Sequence, residues 1–128
     1  MKRSQVVGSY MWILHHPEQA AEIFNDECSD DGVTRLWLQQ GDVIRMSLKD
    51  RTKGLGIWSA VCTPVRDCKI RVVLTNLRMG RQRIYYVPRR RMLQKAMQYL
   101  LSAVWDEQEL ATARRMKEER THAELGTD

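Results

Sequence analysis

The spacing of apolar residues changes twice along this 128-residue chain. In the first 28 residues they recur every three or four positions, which predicts two helices. Ser4 is the expected N-cap of the first, which ends near His16, and Pro17 suits the first turn of the second. From Val33 onward, apolar and polar residues alternate, which is the pattern of β-strands. After Pro88 the helical spacing returns.

Five short strands fit the alternating stretch. They are predicted at residues 34–39, 43–49, 57–63, 69–75 and 81–87. Because strands joined by short turns pair antiparallel, the stretch predicts a meander. The rival interpretation is a helix over residues 34–48, since a spacing of three or four also relates Leu36, Gln40 and Ile44.

The last predicted element is a helix that begins near residue 92. Its apolar stripe comprises Leu93, Met97, Leu100 and Val104, flanked by Ala96, Leu101 and Trp105. We therefore predict an α+β fold in one domain, with N-terminal helices, a five-stranded antiparallel meander and a C-terminal helix packed on one sheet face. Within it we expect an acidic helical segment at 1–32, a basic β-meander at 33–88, the C-terminal helix at 89–120 and a frayed tail at 121–128.

Alternation divides the strand residues into two sets, one for each face of the sheet. The set expected in the core comprises Leu36, Leu38, Ile44, Met46, Leu48, Ile70, Val72, Leu74, Ile84 and Tyr86. The opposite set includes Arg35, Trp37, Arg45, Lys49, Lys69, Arg71, Arg81, Arg83 and Tyr85. We therefore expect one face under the helices and a basic face that carries two aromatic rings.

Positive charge is concentrated in the middle of the chain. Residues 33–95 carry 15 Lys and Arg against 3 acids, a net charge of +12, whereas residues 1–32 carry −4 and residues 96–128 carry −3. Such a field attracts polyanions. Three cations at the entrance of a helix, Arg89, Arg90 and Arg91, oppose its dipole. They indicate either an external anion or an acidic patch of the protein, such as the acids of residues 22–31 in the same chain or in a second copy. We expect a small, non-enzymatic regulatory protein that binds DNA or RNA through the basic face and these three arginines.

Two alternatives remain open. An acidic protein surface would attract the same charge, so the chain is alternatively a protein-interaction module or inhibitor that docks on such a partner. The second alternative is a metal-independent ribonuclease of toxin type. Residues 81–87 resemble the core strand of RelE-like toxin nucleases, and that resemblance implies ribonuclease activity. Arg and Lys also occupy solvated sheet faces for solubility alone.

Other signals restrict the chemistry. Gly54 and Gly56 lack the third glycine and the lysine of phosphate-binding loops, and no Ser or Cys lies in a nucleophile elbow. The three His and three Cys lack the spacing of a zinc site, so we expect no metal, no cofactor and no catalytic residue. The odd cysteine count and the lack of a ~20-residue apolar run predict a cytoplasmic protein without a membrane partner. A homodimer is compatible with the long C-terminal helix.

Overall fold

The computed structural model describes residues 7–28, 33–50 and 56–125. Within these ranges, the side chains of residues 33, 50, 56, 57, 108–112 and 121–125 are not described. The N-cap Ser4 predicted above lies outside the described residues.

The elements follow the predicted order. Two helices, α1 (Tyr10–His15) and α2 (Pro17–Glu27), are followed by five strands: β1 (Val33–Gln40), β2 (Val43–Asp50), β3 (Gly56–Val65), β4 (Lys69–Asn76) and β5 (Gln82–Pro88). A 3-10 turn (Arg89–Arg91) leads into α3 (Met92–Leu125). The strands form one antiparallel sheet in the order β1-β2-β3-β4-β5. The predicted fold class is confirmed, and the rival helix over residues 34–48 is wrong.

The first helix is shorter than predicted. Gly8 turns the chain with a φ of 94°, and Ser9 is extended, with φ −68° and ψ 154°. The Ser9 hydroxyl accepts a hydrogen bond from the Trp12 backbone N–H at 3.2 Å and caps α1. Continuous helix from Ser4 to His16 is therefore wrong. Pro17 does begin α2 as predicted, because a first-turn residue needs no backbone donor.

A two-residue turn sets the register of the first hairpin. Gly41 adopts a φ of 55°, which glycine reaches without steric cost, and Gln40 pairs directly with Val43 across the turn. In antiparallel strands, directly opposed residues share a face. Because Trp37 pairs with Met46, the odd-numbered residues of β1 share the face of the even-numbered residues of β2.

The helices cover only one face of the sheet. That covered face contributes a buried set: Ile44, Met46, Leu48, Trp58, Ala60, Cys62, Ile70, Val72 and Leu74. From α3, the predicted stripe of Leu93, Met97, Leu100 and Val104 is buried against it. Trp105, expected beside that stripe, is instead 59% exposed. The 34 residues of α3 span about 51 Å, and its described side chains from Ala113 to Arg120 are all exposed.

Glu107 fastens α3 to the end of the sheet where β3 begins and β4 ends. Its carboxylate accepts hydrogen bonds from the Trp58 indole N–H and from Asn76 Nδ2, the latter at 3.1 Å. Trp58 and Asn76 are buried and pair directly between β3 and β4. Asn76 also orders the β4–β5 loop, because its Oδ1 accepts from the backbone N–H groups of Arg78 and Met79.

A second set of contacts holds α1 to one end of the sheet. The Tyr10 hydroxyl donates to the Asp42 carbonyl oxygen at 2.9 Å. The Arg89 guanidinium lies 5.7 Å from the centre of the Tyr10 ring and donates to the Val65 carbonyl oxygen at 2.9 Å. The Arg89 backbone N–H donates to the Cys68 carbonyl oxygen. These contacts join α1, the β1–β2 turn and the β3–β4 hairpin.

We expect Glu107→Ala to lower the free energy of unfolding by about 2 kcal/mol, because two buried donors lose their acceptor. Urea denaturation monitored by circular dichroism measures the change. Glu119→Ala, which removes an exposed carboxylate farther along α3, is the control and should stay within about 0.5 kcal/mol of the parent. Equal effects of the two substitutions would contradict the anchoring role of Glu107.

Candidate nucleic-acid interface

The sheet face opposite the helices is uncovered, and we call it the open face. It holds four described basic side chains: Arg45, Lys49, Lys69 and Arg71. It also holds an apolar set: Leu36, Leu38, Val43, Val61, Val73, Ile84 and Tyr86. Among the described strand side chains on this face, none is acidic. The open face is therefore mixed apolar and basic, rather than uniformly basic.

The predicted division of the strands between the two faces is correct for β2 and β4 but wrong for β1 and β5. Leu36, Leu38, Ile84 and Tyr86, expected in the core, are 58%, 44%, 56% and 58% exposed. The reason is parity: in both the β1–β2 and the β4–β5 pairings, odd positions of one strand lie opposite even positions of the next. Leu36 and Leu38 therefore lie on the face opposite Met46, although all three residues are apolar.

Trp37 lies on the covered face, not the open one. Its ring is half-buried and packs against Phe24 of α2, with the ring centres 5.9 Å apart and the planes inclined at 51°. Arg35 shares that face, because it pairs with the buried Leu48. Neither residue joins the basic surface predicted for it.

Tyr85 and Arg83 are also on the covered face, where α3 engages them. The Tyr85 ring stacks on Tyr99 with a centre separation of 4.0 Å and an interplanar angle of 4°. The Arg83 guanidinium lies 3.4 Å from Asp106 Oδ2 and 5.8 Å from the centre of the Trp58 ring. The predicted placement of Trp37 and Tyr85 together on the basic face is therefore wrong.

The three consecutive arginines divide between two roles. Arg89 is half-buried and is held by the contacts with Tyr10 and Val65, whereas Arg90 and Arg91 are exposed. Lys69 pairs with Pro88, the residue directly before the 3-10 turn. Arg66 is exposed in the turn between β3 and β4. We call Arg66, Lys69, Arg90 and Arg91 the basic corner. The β3–β4 turn also contains one acidic residue, Asp67, next to Arg66.

One aromatic ring does lie on the open face. Tyr86 pairs directly with Arg71, so their side chains stand about 5 Å apart at Cβ. Residues Lys69 and Arg71 connect this ring to the basic corner. Sequence reasoning missed Tyr86 and Arg66. Correct parity across the β4–β5 hairpin would have identified Tyr86.

An apolar row crosses the centre of the open face. Leu38, Arg45, Val61, Val73 and Ile84 pair in succession across all five strands. Four of the five are aliphatic. The cation Arg71 lies in the next row, and Lys69 and Lys49 each lie two rows away, on opposite sides of the apolar row. Such a surface can contact flat or apolar groups at its centre and anions at its edges.

Two of the described cysteines, Cys28 and Cys62, have buried thiols. Burial raises the pKa of the Cys62 thiol to about 12 and that of Cys28 to about 11, so both remain protonated near neutral pH. Among the described residues, no three His, Cys, Asp or Glu side chains are grouped to hold a metal ion. None of the described helices combines the length and apolar character that a bilayer crossing requires.

Comparisons of the chain with family models, curated proteins and solved structures find no match. The assignment of a function therefore rests on the geometry and charge of the open face and the basic corner. For the ribonuclease alternative, the structure leaves the exposed Arg81 and Tyr86 of residues 81–87 accessible, but Arg83 and Tyr85 contact α3.

We expect Trp37→Ala to lower the free energy of unfolding by about 3 kcal/mol, because it removes the ring that packs on Phe24. Trp37→Phe keeps a ring in that position and should cost about 1 kcal/mol. Chemical denaturation of both variants measures the difference. If Trp37→Ala leaves stability unchanged and selectively weakens single-strand binding, the packing role of Trp37 is wrong.

Proposed function

We propose that this protein is a small regulatory protein that binds single-stranded nucleic acid on its open face and basic corner. One observation carries the proposal: the described strand side chains of the open face include four cations and no acid, with exposed Tyr86 beside Arg71. Guanidinium and ammonium groups bind phosphates, and an exposed ring stacks on an unpaired base.

The layout favours a single strand over a duplex. Unpaired bases expose their faces, so they can lie on Tyr86 and the apolar row while the phosphates follow the surrounding cations. A duplex shields those base faces and presents mainly phosphates. An antiparallel sheet with one free face offers an area wide enough for several nucleotides, and the basic corner extends that area beyond Pro88.

Removing open-face cations should change the salt dependence of binding. For a single-stranded oligonucleotide, Arg45→Ala with Arg71→Ala should make the slope of log K against log salt shallower by about 1.4, because two phosphate contacts are lost. Fluorescence anisotropy at four salt concentrations measures it. The matched control, Arg115→Ala with Arg120→Ala on the exposed part of α3, also removes two cations and should leave the slope unchanged.

Neighbouring tyrosines on opposite faces provide a second test. Tyr86→Ala should weaken single-strand binding by about 1–3 kcal/mol with little change in melting temperature, because Tyr86 is 58% exposed. Tyr85→Ala should instead lower the melting temperature, since it removes the ring stacked on Tyr99, and leave affinity unchanged at a temperature where the variant is folded. Reversed effects would contradict the assignment of Tyr86 as the stacking residue.

The apolar row supports a second candidate, a protein-interaction module. Exposed Leu36, Leu38 and Ile84 gain little from phosphates but would bury area against an acidic, amphipathic partner segment. If neither DNA nor RNA oligonucleotides bind detectably at low salt, the protein-interaction function is favoured instead. In that case, Leu38→Ser with Ile84→Ser should abolish partner binding, whereas these substitutions should affect oligonucleotide binding less than the loss of Arg45 and Arg71.

A further inference from the structure

A cleft opens between the β4–β5 hairpin and α3, separate from the open face. Its volume is about 630 Å³, within the ~300–1,000 Å³ typical of small-molecule sites. The charged groups that line it are Arg78, Arg81, Arg83, Arg114, Asp106 and Glu107. Four guanidiniums against two carboxylates give this lining a net charge of +2.

Both carboxylates already have partners within the protein. Glu107 accepts from Trp58 and Asn76, and Asp106 faces the Arg83 guanidinium at 3.4 Å. The two carboxylates of the cleft thus interact with donors of the protein itself. Their repulsion of a bound anion is therefore partly offset by these hydrogen bonds and this ion pair.

Two of the guanidiniums are available to a ligand. Arg81 precedes β5, and Arg114 comes from α3, so they approach the cleft from the two elements that form it. Both side chains are exposed, and neither makes a hydrogen bond or ion pair with another described residue. The planar fork of a guanidinium matches the oxygens of a phosphate group better than a single ammonium does.

We propose that this cleft binds a small phosphorylated organic compound, with its phosphates between Arg81 and Arg114. The remaining part of the ligand lies against Met79 and the aliphatic stems of the arginines. The volume exceeds what one inorganic phosphate needs, so a compound the size of a nucleotide suits it. Asp106 opposes the ligand, because it competes for the Arg83 guanidinium. This site does not depend on the nucleic-acid function proposed for the open face.

Isothermal titration calorimetry of the full chain tests the proposal with three probes: ATP, pyrophosphate and adenosine. ATP should bind, pyrophosphate should bind more weakly, and adenosine should give no detectable heat. Arg81→Ala with Arg114→Ala should weaken ATP binding about 10-fold or more, because two charge-assisted contacts are lost. Asp106→Asn should strengthen it about 3-fold by removing a competing charge.

Controls separate a defined site from general charge attraction. Arg115→Ala with Arg120→Ala removes the same charge from the exposed part of α3 and should leave ATP affinity unchanged. Arg81→Lys with Arg114→Lys retains the charge but not the forks, and it should weaken ATP binding about 3-fold. Thermal melting confirms that each variant is folded.

Several outcomes would overturn the proposal. The proposal is wrong if ATP does not bind or if adenosine binds as tightly as ATP. It is also wrong if Arg81→Ala with Arg114→Ala and Arg115→Ala with Arg120→Ala weaken ATP binding equally. Loss of ATP binding through Arg45→Ala with Arg71→Ala would place the ligand on the open face instead. Retained oligonucleotide binding in the Arg81 and Arg114 variant, with ATP binding lost, would support two independent anion sites.

Discussion

The arrangement of this protein depends on the registers of its hairpins. Side chains alternate strictly along a strand, so a shift of one position exchanges every residue between the two faces. The turn at Gly41 pairs Gln40 with Val43, and this pairing determines that Trp37 faces Phe24 while Leu38 faces solvent. The pairing of β4 with β5 has the same consequence for Tyr85 and Tyr86. The surface available to a partner is therefore a result of turn geometry.

The helices cover one face of the sheet and leave the other free, so the two faces differ in burial and composition. The covered face buries the even-numbered residues of 44–48, 58–62 and 70–76 beneath the helices. Glu107 and Arg89 tie α3 and α1 to opposite ends of the sheet. The open face retains exposed aliphatic side chains, which a monomer gains nothing from displaying. Burial of those side chains by a ligand or partner would recover hydrophobic free energy. This is why the open face, rather than charge alone, directs the proposed function.

The arginines of this chain have different roles because of their surroundings. Arg89 donates to a backbone carbonyl oxygen and lies over Tyr10, and Arg83 is placed between Asp106 and Trp58. Arg45, Arg71 and Arg90 are exposed, and the structure describes no ion pair for them. A count of positive charges treats all of these residues alike, whereas only the exposed group can neutralise phosphates on a bound strand.

The sequence by itself determined the element order, the antiparallel meander, the buried stripes of β2, β4 and α3, and the concentration of positive charge. These follow from local periodicity, from Pro17 and from glycine turns, which act over a few residues. Tertiary structure decided which side chains of β1 and β5 lie on the covered face and which on the open face. It also decided the packing of Trp37 and Tyr85 and the structural role of Arg89. Edge strands are only partly covered, so the hydrophobicity of Leu36 and Ile84 does not reveal their direction. Their facing is set by pairing with a neighbouring strand, and the roles of the arginines are set by contacts between residues as distant as Val65 and Arg89.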